Sequence, residues 1–498
     1  MTRPASVTRA HEEGAALILA VLFVLALSAV GSAMVVLART EALASMNYRM
    51  MSQSRYAAES GVHKAINHLL NGYALPGGAG DSLGNYNTTV SPVTFNGQPV
   101  VLSTIAGVAS NYPLASAVTA FTAAGQGTLA VGATTVTYRA SATLLSMRDV
   151  TAFGAIAPTV VQTWRITGVG AVAGVQQSTV EVSAVLEQQV VSAHTYAAFA
   201  TNAGCGALTF SGGVLTDSYD SGNMTMSGGH PVTQPNNGNV GTNGNLNESG
   251  GSTIKGSLST PRTGVGNCAA GAVDAETLSG GATITGGLIT LPQSVVYPAP
   301  APGVPVPPVT NQSITNNTTC ANIGLAAGVC SGTGANMTLT PSGSGGIITL
   351  GNVSTSGGAT LHLNAGTYNW NSVNMSGGST FILNSGPVII NITGTGKATP
   401  IDMSGGATSN NTFDPSQFQI LYGGAGAVNL SGGTNTSTMV FAPGAAINFS
   451  GGTDFYGSVV GATVNVSGGV RIHYDRSLGS NFGTTGNRML TSFTWKKF

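Results

Sequence analysis

The feature that most constrains this chain is a long uncharged segment near its N-terminus. No charged residue lies between Glu13 and Arg39, and the 24 residues Gly14–Leu37 are mostly apolar. A helix rises about 1.5 Å per residue, so this segment would be about 36 Å long and could cross a hydrocarbon core of roughly 30 Å. The sequence therefore predicts a transmembrane helix over residues 15–38.

The helix is predicted to continue beyond the membrane. No proline falls before Pro76, and Asn71-Gly72 can end a helix. Ala15–Leu70 would then form one rod of 56 residues, about 84 Å long. Its second part, 39–72, has apolar residues at helical spacing and is predicted to pack on a protein domain. These residues are Leu43, Met46, Met50, Ala57, Val62, Ile66 and Leu69.

Residues 1–14 are predicted to form a cytoplasmic leader. Arg3 and Arg9 favour a cytoplasmic N-terminus, with the bulk of the chain exported. Two other interpretations are a plain membrane anchor and a secretory signal cleaved at Gly31-Ser32-Ala33. The apolar run is longer than the apolar core of a usual signal peptide, and a signal would not explain the amphipathic continuation.

Two motifs resemble the PilX-like minor pilins of type IV pilus systems. They are Glu13-Gly14-Ala15-Ala16-Leu17-Ile18 and Tyr56-Ala57-Ala58-Glu59-Ser60-Gly61. The resemblance covers about residues 11–70 closely. It implies that a prepilin peptidase cuts after Gly14, leaving Ala15 as the mature N-terminus. It also implies a single-pass inner-membrane anchor, later surface exposure on a pilus, and other minor pilins as partners through the helix.

One position departs from the pilin pattern. The fifth mature residue, usually Glu in pilins, is Leu19. In the family that Glu neutralises the N-terminal amine of a neighbouring subunit. Its absence favours a subunit at the filament tip over one in the shaft.

Composition indicates packed β structure in the exported part. Charged residues are only 7% of the chain, with 17 basic and 17 acidic, so nothing favours nucleic acid as a partner. Hydrophobic residues reach 42% and tend to alternate with polar ones. No cofactor or metal motif is found.

Residues 73–190 are predicted to form a pilin-like β-sheet module. Gly168–Gly174 reads as the turn of a hairpin, and the strand expected from Gln176 onward argues against a dinucleotide-binding loop there. The predicted strands are Tyr86–Val90, Thr134–Tyr138, Val161–Ile166 and Thr179–Val185.

Residues 196–490 contain a repeat. Ser-Gly-Gly occurs eleven times, and five consecutive copies follow an apolar–polar–apolar triplet. One strand and one tight turn, repeated about every 20 residues, is typical of a parallel β-solenoid. The predicted fold class is mainly β with one long N-terminal α-helix: a pilin-like α+β module followed by a right-handed parallel β-helix.

A proline-rich segment, Tyr297–Pro308, falls in the longest interval between repeats. Its prolines favour an extended, stiff conformation. It either separates two solenoid stretches or straps across the outside of one. The shared pattern of the flanking repeats favours a strap.

The polar residues of the triplets are the candidate functional face. If their apolar neighbours point inward, they form an outward column that could bind a surface glycan, or whose amides could simply bond to one another. The column comprises Asn374, Asp402, Asn429, Asn448 and Asn465.

Other polar groups have simpler interpretations. Asp217 and Asp220 could be an acid pair of a polysaccharide-cleaving β-helix, but they read as turn residues. His473-Tyr474-Asp475-Arg476 reads as a cap closing the solenoid.

The four cysteines, Cys205, Cys268, Cys320 and Cys330, allow three pairings in an exported chain. Cys320–Cys330 is the first choice because it closes a short loop, and free buried thiols are the alternative.

The function predicted from sequence is a non-enzymatic minor pilin-like subunit that acts in pilus assembly or as a tip adhesin. One alternative is a membrane-anchored β-helical polysaccharide-cleaving enzyme. Another is a structural surface protein unrelated to pili.

Overall fold

The computed structural model describes residues 12–76, 81–131, 134–150, 153, 159–172, 177–342, 346–431, 436–480 and 482–497. The chain is mostly β with one long N-terminal helix, as the sequence predicts. Its contacts divide it into two units. The first comprises the described parts of 1–148, 162–187 and 488–498, and the second those of 149–161 and 188–487.

Helix α1 spans Glu12–Asn71, 60 residues without interruption. Residues 15–49 are exposed throughout. Beyond them one face is buried, and Ala57, Val62 and Leu69 are at most 1% exposed. The burial therefore begins near residue 50, later than the predicted stripe, and Leu43 remains 47% exposed.

The first unit packs α1 on an antiparallel sheet. Helix α2 spans Ala115–Ala124. Three short strands between residues 86 and 99 form a small separate sheet. The strands are β1 Tyr86–Asn87, β2 Thr94–Phe95, β3 Gln98–Pro99, β4 Val101–Ser103, β5 Gln126–Val131, β6 Thr134–Val150, β7 Thr159–Val172 and β8 Ser178–Ser192. The six-stranded sheet has the order Gly483–Lys497, β8, β7, β6, β4, with β5 also paired to β6. The edge strand Gly483–Lys497 thus returns from the far end of the sequence, and the repeat region is inserted between two neighbouring strands of this sheet.

Gly168 and Gly170 belong to strand β7, so the prediction of a turn beginning at Gly168 is wrong. A Cβ at Gly168 would lie 2.2 Å from the carbonyl oxygen of Ala58, and one at Gly170 would lie 1.9 Å from that of Ser54. Both positions therefore need glycine because the backbone of α1 crosses the strand there. The end of the predicted turn, 173–174, lies outside the described residues.

The second unit is a stack of coils built from parallel strands. Each coil places one strand in each of three columns, and equivalent residues pair from coil to coil. Column A holds the strands that precede the Ser-Gly-Gly turns; the long strands turn corners and serve two or three columns. In stack order, column A comprises Asn311–Ile314, Ile347–Thr355, Gly366–Met375, Ile401–Asp402, Val428–Ser431, Thr436–Ser450, Asp454–Ser467, Leu208–Ser211, Leu246–Glu248 and Glu276–Leu278.

The other two columns follow the same order. Column B comprises Ile347–Thr355, Gly366–Met375, Val388–Ile392, Phe418–Tyr422, Thr436–Ser450, Asp454–Ser467, Ala198–Ala200, Val240–Thr242, Leu258–Thr260 and Leu288–Thr290. Column C comprises Met337–Leu339, Thr360–Leu363, Ser379–Leu383, Gly406–Ser409, Thr436–Ser450, Asp454–Ser467, Arg471–Asp475, Leu215–Tyr219, Thr253–Ile254 and Thr283–Ile284. Outside the columns lie the short strands Met226–Ser227, His230–Pro231 and Cys330–Ser331 and the 3-10 helices Leu83–Asn85, Ser221–Asn223, Cys320–Ile323, Pro415–Gln417 and Arg476–Ser480.

The order of coils in space differs from their order in the chain. Leu208 in the first coil pairs with Val464 in the last, and Ala198 pairs with Val459. The chain therefore enters the stack at its middle, coils outward to residue 290, crosses to the opposite end at residue 311, and coils back to meet its own first coil. We call the junction of the first and last coils the seam.

The proline-rich segment makes this crossing as a strap along column B. Three coil amides hold the main chain of this segment and its two flanks: Asn243 Nδ2 donates to the carbonyl of Val295 (2.8 Å), Asn369 Nδ2 to that of Pro305 (3.2 Å), and Asn352 Nδ2 to that of Val309 (2.7 Å). These amides belong to three different coils, so the segment runs along the stack and does not divide it.

The Ser-Gly-Gly turns stack above one another. In nine of the eleven copies both glycines are described, and in eight of these both glycines have φ between +59° and +100°. The exception is the copy at Ser404, and the copy at Ser227 forms a hairpin outside the columns. The turn column continues through the seam, where a Cβ on Gly212 would lie 3.4 Å from the nitrogen of Gly468. Positive φ is therefore the reason for the repeated glycine pair.

Candidate functional sites

The predicted processing site lies near the start of α1. Gly14 and Ala15 are helical, and Leu19 is 67% exposed. The helix contains a stretch that is long and apolar enough to cross a membrane, and none of this stretch is buried against protein. The leader residues 1–11 lie outside the described part of the chain.

The predicted polar column exists in register. Asn374 pairs with Asp402, Asp402 with Asn429, Asn429 with Asn448, and Asn448 with Asn465. Asn374 is exposed and the other four are partly exposed. The column is longer than predicted, because it extends beyond Asn374 in one direction and across the seam in the other. The added members are Ser313, Ser354, Thr209, Asn247 and Thr277.

The sequence carried a signal for most of these added members. Thr209 and Asn247 also lie two residues before a Ser-Gly-Gly turn, but Glu248 breaks the apolar–polar–apolar triplet around Asn247. Thr209 sits in a full triplet, Leu208-Thr209-Phe210, and only its distance in sequence from the other five set it apart.

Part of the column is satisfied by hydrogen bonds within it. Asn448 Nδ2 donates to Asn429 Oδ1 and Asn465 Nδ2 donates to Asn448 Oδ1, each at 3.1 Å. Asp402 Oδ1 accepts from the hydroxyl of Ser404 at 2.6 Å. An amide ladder of this kind stabilises stacked strands. It leaves fewer polar atoms for a glycan than an unbonded column would.

A second polar cluster lies at the seam in column C. His473 Nδ1 donates to Asp217 Oδ1 at 2.5 Å, and its Nε2 lies 3.3 Å from Asp454 Oδ1. The side chains of His473 and Asp217 are 7% and 5% exposed, and that of Asp454 is 32% exposed. Arg471 adds a looser contact to Asp454 at 3.8 Å. We call these four residues the seam cluster.

The two carboxylates favour the charged form of His473. Burial alone would lower the pKa of His473, but the hydrogen bonds and negative charges of Asp217 and Asp454 raise it above its ordinary value. The hydrogen bond from His473 lowers the pKa of Asp454 against the opposing effect of its partial burial. The arrangement of His473 between the two carboxylates therefore favours the protonated imidazole.

Aromatic rings cover the seam cluster. The ring of Tyr456 lies 4.6 Å from that of His473, and Phe413 packs edge-on against Tyr456 at 4.9 Å. His230, from the hairpin between Met226 and Pro231, receives a 3.3 Å contact from the Tyr456 hydroxyl. A substrate would have to displace these groups to reach Asp217, whereas the Asp454 side chain is 32% exposed.

These positions correct two sequence interpretations. Asp217 is not a turn residue but lies in strand Leu215–Tyr219, opposite His473. The His473–Arg476 segment does not close an end of the solenoid, because it lies at the seam inside the stack. Asp220 is a turn residue as interpreted, and its carboxylate accepts from the backbone nitrogen of Gly222. Both ring nitrogens of His473 and the Oδ1 atom of Asp217 are engaged in these hydrogen bonds. The geometry therefore favours a structural ion pair over acid–base chemistry.

All four cysteines are paired. Cys320–Cys330 closes a loop of 10 residues, and Cys205–Cys268 joins residues 63 apart. The described residues contain no group of three or more His, Cys, Asp or Glu placed to hold a metal ion.

A known protein family matches one segment of the chain. Residues 350–481 match a family model described as "Domain of unknown function (DUF7305)". This segment, about a quarter of the chain, includes the five predicted column residues and His473. No curated protein matches the chain.

Among solved structures, the chain is similar to the competence-associated pilin ComZ from Thermus thermophilus. The alignment has 13% sequence identity and a TM-score of 0.26, and it covers 90% of this chain and 98% of ComZ.

Proposed function

We propose that this chain is a PilX-like minor pilin subunit that carries a right-handed parallel β-helix as its exported domain. It is anchored in the inner membrane by α1, processed after Gly14 by a prepilin peptidase, and then built into a surface pilus with other minor pilins.

The observation that carries this proposal is the division of α1 into two halves. Residues 15–49 are exposed, and the uncharged segment before Arg39 is long enough to cross a bilayer, while Ala57, Val62 and Leu69 are buried against the antiparallel sheet. A plain anchor needs only the first half. One continuous helix that is both membrane span and core element of the next domain supports assembly through the helix.

The position at the filament tip rests on two features. Leu19 stands where a pilin Glu would neutralise a neighbour's N-terminal amine, and a buried unpaired amine is costly. The coil stack adds roughly 290 residues between β8 and its neighbouring strand Gly483–Lys497. Such bulk is easily placed where the filament ends and no subunit follows.

The enzyme alternative is weaker on this geometry. The carboxylates of Asp217 and Asp454 do come together, but His473 lies between them and bonds to both. The adhesin role would use the exposed part of the polar column around Asn374. The stretch from Asn429 to Asn465 is a weaker candidate for binding glycans, because its amides bond to one another.

The processing step gives the direct test. Mass spectrometry of the protein from cells that make pili should find Ala15 as the N-terminus, and a Gly14→Asp variant should keep its leader. An intact leader in the wild type, or a start near Met34, would contradict the proposal.

Immunogold labelling with antibody to the coil stack tests the tip position. Label spread evenly along the pili would contradict that position.

A further inference from the structure

One end of the coil stack is covered by its own chain. Residues 315–336 fold over the terminal coil in a loop closed by the Cys320–Cys330 disulfide, and Ile323 in this loop is 4% exposed. The interior residues of that coil, Ile314 and Met337, are fully buried. Solenoids need such caps because a terminal coil otherwise exposes its core.

The other end is bare. Its last coil consists of strands Glu276–Leu278, Thr283–Ile284 and Leu288–Thr290. Leu278 and Leu288 are each 37% exposed, whereas their partners one coil inside, Glu248 and Leu258, are fully buried. The apolar interior of the stack therefore reaches solvent at this end.

The bare end also offers unpaired strand edges. Within the described part of the chain, strands Thr283–Ile284 and Leu288–Thr290 pair with a neighbour on one side only. A single bridge from Val265 contacts Glu276 on the remaining strand. An exposed edge beside an apolar surface is the arrangement on which extended peptides add a strand.

Two carboxylates lie inside this end. Glu248 is fully buried, and neither of its carboxylate oxygens has a hydrogen-bond partner. Glu276 follows in the terminal coil, where it pairs with Leu246, two residues from Glu248 on the same inward face. Burial and the charge of Glu276 raise the pKa of Glu248 to about 8. Within the described residues, no ion pair includes either glutamate.

We propose that the bare end binds an extended segment of a different protein, which adds a strand to the coil edge and places a lysine or arginine beside Glu276, in the coil that covers Glu248. Apolar side chains of the same segment cover Leu278 and Leu288. The cation supplies the charged partner that Glu276 lacks among the described residues. A second copy of this chain fits poorly, because end-to-end pairing would bring Glu276 against Glu276 and the opposite end is covered. This proposal does not depend on a role in pili.

The test uses the full-length protein in detergent micelles and three dye-labelled nine-residue peptides. Each peptide alternates threonine with apolar residues, and its central residue is lysine, norleucine or glutamate. Fluorescence anisotropy should show the lysine peptide binding at least tenfold more tightly than the other two. In the Glu276→Gln variant the preference for lysine should fall several-fold, and Leu288→Asp should abolish binding of all three peptides. Ile347→Asp is the matched control, since Ile347 is an exposed apolar strand residue (42%) toward the covered end.

Hydrogen exchange on the wild type locates the binding without any variant. The lysine peptide should slow amide exchange within 276–291 and leave 311–340 unchanged. Equal affinity for the lysine and glutamate peptides, or protection confined to another segment, would overturn the proposal. So would a peptide-free dimer in light scattering that the Leu288→Asp variant loses, because that result assigns the end to a second copy.

Discussion

Asp217 and His473 are separated by 256 residues in the chain and form a buried ion pair at 2.5 Å across two adjacent parallel strands. They join the first coil of the stack to the last. A slip of one residue between these strands would place Thr216 or Ser218 opposite His473 and would leave Asp217 buried without a partner. The pair therefore fixes the register of a contact that chain connectivity does not impose.

Removing the imidazole should destabilise the seam in a pH-dependent way. His473→Gln leaves Asp217 buried without its charged partner, a loss of about 3–5 kcal/mol in the free energy of unfolding. The folded pKa of His473 lies above its unfolded value of 6.5. Its contribution is therefore complete below pH 6.5 and is lost as the pH rises through the folded pKa. Thermal melting of wild type and variant should differ most near pH 6 and less near pH 9.

Arg471→Gln is the control for the seam. Arg471 is 60% exposed and 3.8 Å from Asp454, so its removal should cost less than about 1 kcal/mol. If His473→Gln cost the same at both pH values, the role of the imidazole would be packing alone.

A methyl group at Gly170 should separate α1 from its sheet. The Cβ of Gly170→Ala would overlap the carbonyl oxygen of Ser54, and helix and strand would have to move apart at a cost of about 3 kcal/mol or more. Limited proteolysis should then cut α1 between residues 50 and 70 faster than in the wild type. Gly84→Ala is the control, because its nearest atom would be 3.7 Å away. Equal protection of all three proteins would argue against the close helix–strand contact.

Glu248→Gln should stabilise the protein at alkaline pH. The folded pKa of about 8 lies above the ordinary value of 4.5, so the unfolded chain ionises first. The wild type therefore loses stability as the pH rises from about 4.5 to 8, and the neutral amide removes this loss. The melting temperature of the variant should match the wild type near pH 4 and exceed it near pH 9. Glu187→Gln, at an exposed position in β8, should follow the wild type at both pH values.

Tyr297→Ala should loosen the strap. The Tyr297 ring packs edge-on against Phe199 at 5.0 Å and Phe441 at 6.0 Å, and it is 8% exposed. Its truncation should cost about 3–5 kcal/mol, since the loss of a large buried ring leaves a cavity. Val304→Ala, where Val304 is 63% exposed, should cost less than about 0.5 kcal/mol. Hydrogen exchange within 291–310 reports the loosening, and unchanged exchange in Tyr297→Ala would show that the amide contacts alone hold the strap.

The sequence by itself determined the features that depend on neighbouring residues. The uncharged run and the apolar stripe predict α1 to within three residues of its observed ends. The triplet before each Ser-Gly-Gly predicts which side chains point outward, and the column from Asn374 to Asn465 follows from it. Helix period, strand alternation and the positive φ of paired glycines are local properties, so a single sequence encodes them.

The tertiary structure decided which coils are neighbours. All the column A strands have similar patterns, so nothing local distinguishes the pairing of Leu208 with Val464 from other registers. The strap places the coils of 311–475 ahead of those of 198–290 in the stack, although they come later in the chain. Asp217 and His473, which the local sequence predicts to be a turn residue and part of a cap, then fix the seam. Gly168 and Gly170 resemble a turn in sequence because their requirement for glycine comes from α1, more than 100 residues earlier. Contacts of this kind depend on the complementarity of distant surfaces, which local periodicity does not record.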